Sequence, residues 1–319
     1  MTQIKIVYGG ASFSPAGPFT SPEEVSQVLD LLVKHDVTTF DTARLYPGSE
    51  VAIGQQAIRT AFTIDTKIEG GFNPGTSAKA VLIAGAVDSL DRAKIAQFDV
   101  FYLHAPDRGI PLLETLEGVD EVYRKGIFKR FGLSNFTAKE VVEVYDLAKE
   151  KGFVLPSVYQ GNYSPIARHL EAFIFPTLRK LNFAFYAYAP LAGGYLTKTP
   201  ADLDAGAGRF NETSMGGLYK RAFDKPSMRA ALAEWHAVAE MEGISKAELA
   251  YRWVGYNSAL KAELGDAVIF GASNIKQVEQ TIEGLKKGTL SAEAQRRIEG
   301  IWQSVQDDAP VDLFGGEKA

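Results

Sequence analysis

Short apolar runs rich in Val, Ile, Phe and Tyr recur along the chain with longer stretches of helical period between them. The runs Ile4–Tyr8, Val37–Phe40, Phe62–Thr66, Val100–Leu103, Lys129–Leu133, Ser157–Tyr159, Phe183–Tyr188 and Ala267–Phe270 read as strands. No hairpin turn joins neighbouring runs, so a parallel sheet buried on both faces is expected. Helix starts are signalled by capping boxes. Ser21-Pro22-Glu23-Glu24 precedes Val25, Val28, Leu29 and Leu32, which lie on one helical face. Thr137-Ala138-Lys139-Glu140 precedes Val141, Val144, Tyr145 and Ala148, and Ser245-Lys246-Ala247-Glu248 opens a helix running through Tyr251 and Trp253. Eight strand–helix units without a linker predict a closed (β/α)8 TIM barrel occupying residues 1–319 as one domain. The competing doubly wound sheet would want a Gly-x-Gly-x-x-Gly turn after the first strand, and Gly9-Gly10-Ala11-Ser12 lacks its third glycine. Ala192–Lys225, glycine-rich, charged and aperiodic, reads as an insertion loop after the seventh strand. Leu290–Gln306 reads as a helix outside the repeat, ahead of a tail rich in Gly and Asp.

Composition narrows the chemistry. With 319 residues, 46% of them apolar, the chain can bury a large core. A net charge of −5, with Lys and Arg scattered, argues against nucleic acid and anionic membrane as partners. The absence of cysteine excludes disulfides, thiolate metal sites and thiol nucleophiles. Neither a secretory leader nor an apolar run of membrane-spanning length is visible, so a cytoplasmic protein is expected.

In a barrel all strand carboxyl ends meet on one face, which gives the polar residues there a common address. Phe40-Asp41-Thr42-Ala43-Arg44-Leu45-Tyr46 puts a carboxylate at the end of the second strand and a phenol in the following loop. The third strand ends in Asp65-Thr66-Lys67, the fourth in His104, the fifth in Ser134-Asn135, the sixth in Gln160 and the seventh in Tyr188-Ala189-Pro190-Leu191. The eighth ends in Gly271-Ala272-Ser273-Asn274. Each has an ordinary structural explanation as a rim, turn or capping residue. Their convergence is what points to a reaction centre. Tyrosine is a weak acid, with a pKa of about 10, and a neighbouring ammonium makes it a better proton donor. Asp41 would keep Lys67 charged, and His104 could orient a carbonyl. The set suits protonation of an oxyanion developing on a carbonyl oxygen. His104 has no second ligand at metal-binding spacing, so no metal site is expected.

The order Asp41-x4-Tyr46, Lys67, His104 resembles the catalytic tetrad of the aldo-keto reductases. Tyr102-Leu103-His104-Ala105-Pro106-Asp107, Gly132-Leu133-Ser134-Asn135, Tyr159-Gln160-Gly161 and Pro190-Leu191-Ala192-Gly193-Gly194 are most similar to the aflatoxin-aldehyde reductase branch. The resemblance implies an NADPH-dependent reductase of aldehydes, dicarbonyls or ketones, with Tyr46 as general acid and Lys67, paired with Asp41, lowering its pKa. It implies that Asp41, Ser134, Asn135 and Gln160 border the nicotinamide, that Tyr188 stacks on it, and that Pro190 to Thr197, including Leu191, Gly193 and Gly194, cradle the pyrophosphate. Gly271, Ser273, Asn274, Lys276, Gln277 and Gln280 would take the 2′-phosphate, the alternative for Asn274 and Gln277 being a plain helix cap. Two departures bear on the cofactor: Thr281 replaces an asparagine, and Ala222 stands where the long loop supplies an arginine, with Lys220 and Arg221 as neighbouring substitutes. His104, Phe13, Phe136, Met215, Tyr219 and Phe314 are the candidates for the substrate pocket, although an apolar loop residue can equally be a buried anchor. The tail ends without the arginine that contacts acidic substrates in relatives. A monomer or homodimer is implied. A regulatory subunit resembling the potassium-channel β subunits, or a Schiff-base aldolase using Lys67, is the alternative use of the same barrel.

Overall fold

The computed structural model describes residues 4–15, 17–213 and 217–314. Eight parallel strands close into a barrel in chain order: β1 (Lys5–Gly9), β2 (Thr39–Asp41), β3 (Thr63–Ile68), β4 (Phe98–Leu103), β5 (Phe128–Ser134), β6 (Pro156–Asn162), β7 (Ala184–Tyr188) and β8 (Ala267–Phe270). The ring is sealed by β8 pairing with β1, Ala267 opposite Lys5 and Phe270 opposite Tyr8. Each expected strand is present with ends displaced by a few residues, and the (β/α)8 reading holds.

Strand alternation divides the apolar residues into two sets. Val7, Val100, Tyr102, Val158, Ala184, Tyr186, Ala267 and Ile269 fill the lumen, while the larger set, including Phe40, Phe101, Leu133 and Phe185, packs outward against helices. The helix Pro22–Lys34 begins with the full capping box of Ser21 and Glu24 and buries Val25, Val28, Leu29 and Leu32. Ala138–Lys151 begins with the box of Thr137 and Glu140. At Ser245 only half of the expected box forms. Ser245 accepts from Glu248 N–H, but the Glu248 carboxylate is drawn to Arg252 and Lys287.

The segment after β7 is more ordered than an aperiodic loop. It holds the short helices Ala192–Thr197, Pro200–Asp204, Gly208–Phe210 and Leu218–Phe223. The buried rings of Tyr195, Phe210, Tyr219 and Phe223 pack together and hold them. Aromatic anchoring of this kind leaves no regular period in sequence. The final helix, Ala292–Val305, packs against Pro226–Glu242 outside the repeat and delivers the tail back to the barrel mouth.

Candidate active site

The loop after β2 is pinned before any ligand enters. Thr42 N–H and Arg44 N–H donate to the carbonyls of Asp65 and Lys67, prolonging the β2–β3 pairing past Asp41. The Thr42 hydroxyl donates to Ser49 at 2.7 Å, and Ser49 donates to the Gly10 carbonyl at 2.8 Å. Gly48 turns the chain with φ of 78°, a conformation that favours glycine, and the helix Ser49–Gly54 follows. Tyr46 is thereby held half-buried at the carboxyl end of the barrel.

Asp41, Lys67 and His104 close on the same place. The Lys67 ammonium donates to both Asp41 oxygens, at 2.8 and 2.7 Å, and to the Thr42 carbonyl at 2.8 Å. Its three N–H groups are therefore all used. Nζ also lies 5.1 Å from the centre of the Tyr46 ring, and the His104 ring meets Tyr46 edge-on at 5.9 Å. Burial lowers the pKa of Lys67, but the charge and hydrogen bond of Asp41, joined by Tyr46 and Asp65, together outweigh it and hold the ammonium charged. His104 is pushed well below its ordinary range by burial first and by the Lys67 charge second, so the imidazole is neutral. For Tyr46 the balance differs from the sequence expectation. Burial raises its pKa more than Lys67 lowers it, and Asp41 adds to the rise. The phenol is thus protonated at neutral pH, with Lys67 as the nearest opposing influence.

On the opposite side of the mouth the residues sit on β5 to β8. Ser134 and Gln160 are buried at strand ends. Asn135, in the left-handed region at φ 61°, donates to the His104 carbonyl at 2.8 Å and to Ser134 at 3.2 Å, and accepts a long bond from Tyr188 at 3.4 Å. Gln160 donates to Asp41 at 2.9 Å, which ties the β6 amide to the tetrad. Beyond Pro190 and Leu191, Gly193 and Gly194 have φ of 69° and 99°. A Cβ at position 193 would stand 2.1 Å from the Tyr219 ring. Tyr219 therefore packs on this segment, close enough to Tyr46 and Tyr188 to influence both phenols. Gly271, Ser273, Asn274, Gln277 and Gln280 are exposed after β8. Asn274 caps Gln277 N–H at 2.9 Å, while Gln277 accepts from Ser273 N–H at 2.9 Å. The capping alternative is realised for Asn274 and Gln277, which leaves Lys276, Gln280 and the Ser273 hydroxyl outside it. Thr281 is buried and bonds Tyr251.

The substrate candidates separate. Phe13 is 3% exposed and packed against Tyr8, Phe19 and Phe40 in the outer core, so it is an anchor and not a lid. Phe136 is likewise buried, with its carbonyl accepting from the Tyr159 hydroxyl. Phe314 does reach the mouth. It packs on Phe72 with ring centres 4.5 Å apart, and Phe72 meets His104 edge-on at 5.1 Å. Met215 lies outside the described residues.

A family model described as the aldo/keto reductase family matches residues 5–303. The chain belongs to the aldo/keto reductase family. It is 37% identical to the oxidoreductase sirO of Leptosphaeria maculans, across 96% of both chains. It is 35% identical to the human aflatoxin B1 aldehyde reductase member 4, across 86% of this chain and 87% of that one. To the human aflatoxin B1 aldehyde reductase member 2 it is also 35% identical, across 86% and 80%. The branch resemblance is borne out, and the chain is an oxidoreductase of carbonyl compounds.

Within this aldo/keto reductase mouth, three residues escaped the sequence reading. Phe72 sits on a glycine-rich turn after β3, where no period marks it. Arg209, from the segment after β7, donates to the Tyr219 hydroxyl at 3.2 Å and lies 5.3 Å over its ring. Among the described residues no carboxylate pairs with it, whereas Lys220 is bound to Glu212 at 3.2 Å. Asn162, next to Tyr188 in the β6–β7 register and 1% exposed, has neither side-chain amide atom bonded among the described residues. A Gln-x-Asn alternation from Gln160 would have placed Asn162 on the same face.

Proposed function

We propose that this chain is an NADPH-dependent reductase that converts aldehydes, with ketones and dicarbonyls in the same class, to alcohols. The observation that carries the reading is the arrangement of a fully engaged Lys67 under Tyr46 with a neutral His104 edge-on to the same phenol. A neutral imidazole can donate one hydrogen bond to a carbonyl oxygen without offering a proton that it would lose. Tyr46 then gives its O–H proton to that oxygen as negative charge develops, and the phenolate left behind faces the Lys67 ammonium. Solvent restores the proton. The dinucleotide, when bound, supplies the hydride that the carbonyl carbon gains.

The residues present suit such a dinucleotide. Tyr188 offers a ring face, and Ser134 and Asn135 offer polar atoms for a carboxamide. Gln160 shares its amide with Asp41 and so couples that end to the tetrad. The two left-handed glycines at 193 and 194 expose backbone amides as a cradle for pyrophosphate. Arg209 has no carboxylate partner among the described residues and lies over the Tyr219 ring beside that segment, so it takes the part that Ala222 cannot play. Lys276, Gln280 and Ser273 remain for a 2′-phosphate at the start of the helix Ile275–Leu285. Phe72 and Phe314 give the substrate side an aromatic wall.

Fluorescence titration with NADPH, followed by assay of carbonyl-dependent NADPH loss, tests the proposal. Saturable binding and turnover that Tyr46→Phe abolishes are expected. Undiminished turnover in Tyr46→Phe would overturn it.

A further inference from the structure

The lumen below the tetrad holds a second carboxyl that the mechanism leaves unused. Asp65 on β3 is in register with Asp41 on β2 and stands two residues before Lys67, so all three side chains share the inner face. Asp65 is completely buried. One oxygen accepts Val100 N–H at 3.1 Å, and Oδ2 has no partner among the described residues. Lys67 cannot serve it, because its three donors are spent on Asp41 and Thr42.

The other groups facing this lumen do not neutralise it. From β1, Lys5 is committed to the Tyr186 hydroxyl of β7 at 3.2 Å. From β5, Arg130 is paired with Asp99 of β4 at 2.7 Å and also donates to Tyr186. From β4, Tyr102 stands in register with Lys67, fully buried, and its hydroxyl has no partner among the described residues. The inner residues of β8, Ala267 and Ile269, are apolar. A buried carboxyl with one hydrogen bond, beside a carboxylate that has already claimed the local lysine, favours its neutral form. Burial first and the Asp41 charge second push it up to about 7.

We propose that Asp65 is a positioning residue that carries a proton inside the barrel at and below neutral pH, and that its ionisation slows proton donation by Tyr46. The inference rests on Tyr46 being the proton donor. When Tyr46 releases its proton, the phenolate is stabilised by Lys67. An anionic Asp65 strengthens the hold of Lys67 on its own proton and adds a second carboxylate to draw on the ammonium that stabilises the phenolate. A neutral Asp65 leaves Lys67 to one carboxylate and the phenolate. The enzyme therefore reduces carbonyls faster on the acid side of neutrality.

Asp65→Asn keeps the acceptor for Val100 N–H and cannot ionise. With saturating NADPH, kcat of the unaltered enzyme should fall on the order of tenfold as pH rises through about 7. The variant should stay flat over the same range, and Asp65→Ala, which removes the carboxyl altogether, should be flat as well. A pH-difference infrared spectrum of the cofactor-free protein reads the proton itself. The unaltered protein should show a protonated-carboxyl C=O band below neutrality that disappears above it, and Asp65→Asn should lack this band. If the unaltered protein lacks the band, Asp65 carries no proton and the inference falls. If the band is present but the pH profiles of kcat superimpose, the link to Tyr46 falls. A protein that shows the band yet turns over no carbonyl overturns the reductase reading and, with it, the kinetic half of the inference.

Discussion

The two sides of the barrel mouth are built on different principles. On the β2–β4 side most of the polar groups are fixed by one another: Lys67 by Asp41 and Thr42, the Tyr46 loop by Ser49 and Gly10, with His104 Nδ1 left without a partner among the described residues. On the β6–β8 side the potential contacts are backbone amides at left-handed glycines, an arginine and an asparagine that have, among the described residues, no carboxylate and no hydrogen-bond partner respectively, and exposed side chains past β8. The first side is largely finished before a ligand arrives. The second leaves polar groups open to be completed by one. Preorganised charge suits proton transfer, since dipoles already aligned cost nothing to reorient during the reaction. A large dinucleotide is better met by exposed amides and an exposed guanidinium, which let it enter and leave.

The sharpest way to break this comparison is to strike the finished side. Lys67→Met should lower kcat by about 10³-fold while leaving NADPH affinity nearly intact, measured by single-turnover rates and fluorescence titration. It also strands Asp41 as a buried, unpaired carboxylate, a loss of about 3 kcal/mol in denaturant unfolding. Asp41→Asn together with Lys67→Met should recover part of that stability and none of the turnover. If Lys67→Met instead weakens cofactor binding and spares kcat, the division of labour is wrong.

Next in size is an effect on the completed side. Arg209→Met should weaken NADPH and NADH equally, by about tenfold in Kd, because a pyrophosphate contact is common to both. Loss confined to NADPH would move Arg209 to the 2′-phosphate, and no loss would remove it from the cofactor. The rate of the chemical step should hardly change.

A stability measurement separates Asp65 from both sides. Its folded pKa lies above the unfolded value, so its stabilising contribution is complete below the unfolded pKa and is lost as pH rises through about 7. Unfolding free energy of the unaltered protein should drop by roughly 2 kcal/mol relative to Asp65→Asn between about pH 5.5 and 7.5. Parallel curves would mean that Asp65 does not titrate there.

The smallest expected effect lies at the substrate wall. Phe314→Ala should raise KM for aromatic aldehydes about fivefold and leave KM for a small polar aldehyde unchanged, since only the former buries its ring against Phe72. Equal effects on both would make Phe314 a tail anchor and not a wall.

Most of the barrel and the meeting of Asp41, Tyr46, Lys67 and His104 were legible in the chain, and the reason is local. Strand runs and capping boxes are short-range signals, and chemically unusual residues at strand ends stand out wherever a closed barrel gathers them. Ser21 and Thr137 formed the boxes their spacing announced. Ser245 formed half of one because Arg252 and Lys287, the latter from a distant turn, competed for Glu248. Phe13 and Phe136 show the same limit from the apolar side. Their sequence neighbourhood says loop, and only the packing of Tyr8, Phe19 and Phe40 decides that Phe13 faces inward. Phe72 and Arg209 carried no period at all, being placed by partners far away in the chain.

By itself the sequence determined that eight strand–helix units would close and that Asp41, Tyr46, Lys67 and His104 would meet at one end, because strand polarity leaves no other place for them. The tertiary structure alone decided how the charges balance there. It engaged all three donors of Lys67, left Asp65 buried without an ammonium, raised Tyr46 by burial further than Lys67 lowers it, and set Phe314 on Phe72. Each of these depends on how many neighbours compete for one group inside a closed barrel, and that number is a property of packing, not of order along the chain.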